Sequence, residues 1–179
     1  RWMVDAVAEP TSGLDLDPVA FRVAQVRPQI TGIIQKRLYE EGAYVRAGQP
    51  LYQIDAGTYR AAHDSARAAV SKAEANALTA KLRYDRYLKL AESGVVSQQD
   101  RDDVTANLQQ AEADLATAKA ALTNASINLA YTRIEAPISG RSATSMYTEG
   151  ALVTTNQTNP LTTIQQLDPI YVDLTQSSA

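Results

Sequence analysis

Between Gly57 and Leu129 the sequence carries two apolar seams in register with each other, and this pair limits the possible folds more than any other feature. In the later stretch, Val104, Leu108, Ala111, Leu115, Ala118, Leu122, Ala125 and Leu129 recur at alternating steps of four and three, the spacing of a coiled-coil seam. In the earlier one, His63, Ala66, Val70, Ala73, Ala77, Ala80, Tyr84 and Tyr87 keep the same rhythm. Reversing the chain at residues 93–97 sets Tyr87 against Val104, Tyr84 against Leu108, Ala80 against Ala111, Ala77 against Leu115, Ala73 against Ala118 and Val70 against Leu122. Towards the base, Ala66 then meets Ala125 and His63 meets Leu129. A single fold point satisfies all the pairs, which predicts an antiparallel helical hairpin over residues 57–129.

Turn chemistry agrees. Ala91-Glu92-Ser93-Gly94 ends the first arm with glycine, the residue that adopts a left-handed conformation without a steric penalty. Ser97-Gln98-Gln99-Asp100 opens the second arm with a serine N-cap and an acid three residues on. The first arm holds seven Lys/Arg against four Asp/Glu, a balance of +3, and the second holds two against five, a balance of −3. Arms of opposite charge favour each other, although each exposed pair contributes only a few tenths of a kcal/mol. At ~1.5 Å per residue, helices of this length extend about 50 Å.

With so much of its 179 residues in a hairpin, the chain has only a small core elsewhere. A net charge of −3 gives no reason to expect a nucleic-acid partner. No apolar run reaches the ~20 residues of a membrane-spanning helix. The absence of cysteine excludes disulfides and thiolate metal sites, and a single histidine without clustered acids argues against any metal centre. His63 reads as a seam packing residue. No cofactor and no catalytic constellation is expected. Because the sequence opens at Arg1 without a basic-then-apolar leader, a targeting segment is expected to be absent or removed.

Residues 1–20 read as irregular chain or the edge of a β-barrel, with turn chemistry at Glu9-Pro10-Thr11-Ser12-Gly13 and Asp17-Pro18. Short β-rich pieces follow over residues 21–56, punctuated by Gly32, Gly42 and Gly48. After the hairpin the same vocabulary returns over residues 130–166. Gly140 and Gly150 repeat the ten-residue spacing of Gly32 and Gly42, and Val45 and Val153 each lie three residues beyond the second glycine. Leu51 to Ile54 answers Leu161 to Ile164. The expected product is a two-fold sandwich whose halves cannot bury their apolar faces alone, with the glycines at turns needing positive φ. Residues 167–179 read as the start of a further β-barrel unit, so a longer protein is expected.

The first half follows the pattern Gly-(nine residues)-Gly-x-x-Val-x-x-Gly-x-x-Leu-x-x-Ile, and the second repeats it with two extra residues at Asn156-Gln157-Thr158-Asn159-Pro160 and no third glycine. This half-motif resembles the lipoyl or biotinyl domain, and the split by a hairpin resembles the membrane fusion proteins of tripartite efflux pumps. Among these, Val26 to Ile34, Leu51 to Asp55, Ile127 to Thr132, Ala136 to Arg141, Thr148 to Val153 and Gln166 to Asp173 are most similar to the RND-type, AcrA/MexA-like periplasmic adaptors. That resemblance implies an α+β fold in which a coiled-coil hairpin is inserted into a split lipoyl-like β-sandwich. It also implies a non-enzymatic periplasmic role, with the protein attached to the inner membrane. The expected partners are an inner-membrane RND transporter, an outer-membrane TolC-like channel and further copies of the chain, six in an assembled pump. Arg86, Leu90 and Ser97 match the spacing of the family's channel-docking tip, and Val95 and Val96 at the apex suit a surface that buries itself against other helices. The sequence departs from the family in its first 18 residues and at Asp55-Ala56, where Asp-Pro is common. An adaptor for an ABC or type I secretion system shares the same β-and-hairpin logic, and a plain coiled-coil spacer is a further alternative. A true lipoyl or biotin carrier is disfavoured, because Lys72, Lys81, Lys89 and Lys119 all lie inside the helices and none lies at a turn.

Overall fold

The computed structural model describes residues 2–4, 17–92 and 96–173. In chain order the elements are β1 (Trp2–Val4), β2 (Asp17–Val26), β3 (Gly32–Arg37), β4 (Tyr44–Val45), β5 (Pro50–Ile54), α1 (Gly57–Glu92), α2 (Gln98–Ala130), β6 (Arg133–Glu135), β7 (Gly140–Ser142), β8 (Leu152–Val153) and β9 (Thr162–Asp173). They form two compact units: a helical one from Ala56 to Ala130, and a β unit from the chain before and after it.

In the helical unit α1 and α2 pair antiparallel. Along α1 the less exposed residues are Tyr59, His63, Ala66, Val70, Ala73, Ala77, Ala80, Tyr84, Tyr87 and Ala91. Along α2 they are Val104, Thr105, Leu108, Ala111, Leu115, Ala118, Leu122, Ala125 and Leu129. Among the described residues of the hairpin, only Val70 and Val104 are buried, since two helices alone cover one stripe of each other and leave its margins wet. Six hydroxyls on the helices bond to the carbonyl four residues back, among them Thr79 to Ala75 at 2.9 Å and Thr117 to Ala113 at 3.0 Å. Lys119 Nζ and Glu74 Oε1 link the arms at 3.9 Å.

The β unit has a five-stranded sheet, in which β9 pairs with β1, β2 and β7 and β7 pairs with β4, and a four-stranded sheet ordered β6-β5-β3-β8. Each half of the sequence repeat lends strands to the other. Gly32 and Ile33 pair with Val153 and Leu152, just as Gly140 and Arg141 pair with Val45 and Tyr44. Gly42 N donates to Ser142 O at 3.1 Å and Gly150 N to Ile34 O at 2.8 Å, while Leu38 N donates to Leu51 O and Met146 N to Leu161 O at 2.8 and 2.9 Å. The repeat extends to side chains. Gln49 Oε1 accepts from Arg46 N at 3.0 Å, and Gln157 Oε1 from Thr154 N at 3.2 Å. The shared core contains Ile34, Val45, Leu51, Tyr52, Ile54, Val153, Leu161 and Ile164, all fully buried. Burying each side chain of this size contributes about 1.5–3 kcal/mol.

Two expectations need correction. Gly42, Gly48 and Gly150 do have positive φ, but Gly32 and Gly140 do not; both lie in strands. Space, not turn geometry, requires glycine there. A Cβ on Gly140 would stand 2.4 Å from Gln165 O, and one on Gly32 would stand 2.5 Å from Ile54 Cγ2. Asp17-Pro18, read as a turn, lies in β2 opposite Asp173 and Val172. Proline is tolerated there because it lies at the start of an edge strand, off the main order of the sheet. Residue 167, where a further unit was expected to start, lies along β9, which runs from Thr162 to Asp173.

Candidate functional site

Two places gather unusual chemistry: the distal end of the hairpin and a buried hydroxyl chain in the β unit. At the hairpin end α2 begins with a reciprocal cap. Ser97 Oγ accepts from Asp100 N at 3.1 Å, Ser97 N donates to Asp100 Oδ2 at 3.3 Å, and Ser97 Oγ donates to the same carboxylate oxygen at 2.6 Å. This arrangement satisfies orphan amides and places negative charge against the helix N-terminus. It also occupies the hydroxyl of Ser97, so the role of this residue in the free protein is to set the start of α2.

Arg86 and Leu90, four residues apart on α1, project away from the seam, and both are exposed. Leu90 is 41% exposed and Leu88 43%. Leu88 and Leu90, two residues apart, lie on different sides of α1, and Leu78 and Leu82 further along the helix are exposed as well, at 58% and 56%. Leu88 was missed in the sequence, though its off-seam position next to Leu90 was the available signal. Val96 is half-buried. Val95, with Ser93 and Gly94, lies outside the described residues. Just below, Arg83 Cζ stacks 5.6 Å from the centroid of the Tyr87 ring, so the two neighbouring arginines differ: Arg83 covers an aromatic and Arg86 extends outward.

At the base of α1, His63 is half-buried on the seam with Nδ1 3.3 Å from Asp64 Oδ1. Among the described residues there is no group of three metal-ligating side chains, and no helix is long and apolar enough to cross a membrane.

The buried hydroxyl chain was not anticipated. Tyr52 Oη lies 2.7 Å from Tyr39 Oη and 2.6 Å from Ser145 Oγ, with Leu161 O at 3.3 Å. The two rings meet edge to face, 5.4 Å between centroids. Burial, only partly offset by the bond to Ser145, pushes the Tyr52 phenol far above its usual value. The chain stays neutral and ties the two sheets together. It offers no base and no nucleophile.

The family model described as "RND MFP, barrel-sandwich hybrid domain" matches residues 22–165. The chain is 54% identical over 159 residues to the multidrug export protein AcrE of Escherichia coli K12, covering 89% of this chain and 41% of AcrE. To the multidrug efflux pump subunit AcrA of the same organism it is 53% identical over 159 residues, covering 89% and 40%. To the antibiotic efflux pump periplasmic linker protein ArpA of Pseudomonas putida it is 48% identical over 169 residues, covering 94% and 42%. The chain therefore spans about two-fifths of the length of these curated relatives. Among solved structures, a MacA–MexA chimera carrying the Pseudomonas aeruginosa MexA α-hairpin aligns with a TM-score of 0.58 at 30% identity, covering 90% of this chain and 52% of the chimera. The membrane fusion protein Spr0693 of Streptococcus pneumoniae R6 aligns at 0.65 and 20% identity, covering 84% and 64%, a likeness of fold.

Proposed function

This chain belongs to the membrane fusion proteins of RND systems, whose barrel-sandwich hybrid domain it carries, and from that premise we propose that it is a non-enzymatic periplasmic adaptor of a tripartite multidrug efflux pump. The distal end of the hairpin docks, helix on helix, on a TolC-like outer-membrane channel through Arg86, Leu90, Val95 and Val96, with Ser97 setting the start of α2. The β unit acts as a split lipoyl-like sandwich without a carrier lysine, and β2 and β9 lead into a further barrel. Parts of the longer protein hold it at the inner membrane beside an RND transporter, and several copies, six in the complete pump, surround the conduit.

The observation that carries this reading is the contrast along α1. Seam positions such as Ala77 and Ala80 are covered, whereas Arg86, Leu88 and Leu90 remain open at the end of the hairpin. Arg86 and the exposed Leu90, four residues apart on one face of α1, suit a partner surface that is apolar at its centre and carries acceptors at its rim. The names of the relatives supply the pump and the periplasm.

The test uses full-length protein in a strain lacking its own adaptor. Arg86→Asp and Leu90→Asp should each abolish efflux complementation while leaving circular dichroism and thermal melting nearly unchanged. If either variant loses helical structure instead, these side chains support the hairpin and the docking reading fails.

A further inference from the structure

We draw no further inference here: the strongest candidate, the apolar patch of Leu78 and Leu82 on the side of α1 away from the seam, 58% and 56% exposed, carries nothing because nothing in the structure shows what covers it.

Discussion

The hairpin and the β unit are held together in opposite ways. Along α1 and α2 the contact is a long seam of small and half-covered residues, with Val70 and Val104 the buried members among the described residues. In the β unit a few large side chains, Tyr52, Leu51, Ile54, Leu161 and Ile164 among them, are buried completely, and the strands alternate between the two halves of the repeat. The hairpin spreads its stability over many weak contacts along one seam. The β unit concentrates it in a few large side chains brought together from both sides of the hairpin in sequence. A single substitution should therefore be absorbed along the seam and transmitted through the β core.

The largest effect expected from that contrast is at Gly140. In Gly140→Ala the new Cβ meets Gln165 O at 2.4 Å and its carbonyl carbon at 2.7 Å. Both atoms are backbone inside β9 and cannot swing aside, so about 3 kcal/mol or more of the stability of the β unit should be lost. Gly32→Ala meets only the Ile54 Cγ2 methyl and should cost less. Urea titration followed by tyrosine fluorescence ranks the two, and equal losses would show that β9 yields as readily as a side chain.

Next comes the seam. Val104→Asp places a charge at a buried position and should cost about 2–4 kcal/mol, with lost helical ellipticity. Leu115→Asp is only half-buried, so its carboxylate can reach water and the cost should be roughly half. If Leu115→Asp proves as damaging, the seam is more cooperative than its exposure suggests.

Tyr52→Phe leaves Tyr39 and Ser145 without their shared partner and should cost about 1–2 kcal/mol. It should also change the alkaline limb of stability. The folded phenol titrates well above the usual value of 10.0, so the folded state binds the extra proton in that window. Stability from this group is whole below pH 10 and falls as pH rises from there towards the folded value. The Phe variant should lose that part of the decline, read as the midpoint shift between pH 9 and pH 11. The smallest effect is at the cap: Ser97→Ala should cost about 1 kcal/mol, visible as fraying of α2 by amide exchange.

Local periodicity made the helices legible. A seam repeats every turn, so each of its residues announces itself independently, and Ser97 and Asp100 announce the start of α2 in the same local way. The repeat in the β segments was legible as a spacing of glycines, but the reason for each glycine was not. Gly42 and Gly150 obey a backbone rule that any turn would impose, whereas Gly32 and Gly140 answer to strands contributed from elsewhere in the chain. Arg86 and Leu90 were singled out only through the family resemblance, and the exposure of Leu88 went unseen because apolar residues on helices are ordinarily read as core.

By itself the sequence determined where the chain turns back, which stripe of each helix is covered, and that two segments separated by the hairpin repeat one design. Those properties depend on neighbours a few residues away. Only the tertiary structure decided that the halves interlock by exchanging strands and that Tyr52, Tyr39 and Ser145 share one buried hydroxyl chain. These depend on pairings between the two halves on either side of the hairpin, whose register follows from packing the whole unit at once and from no local pattern.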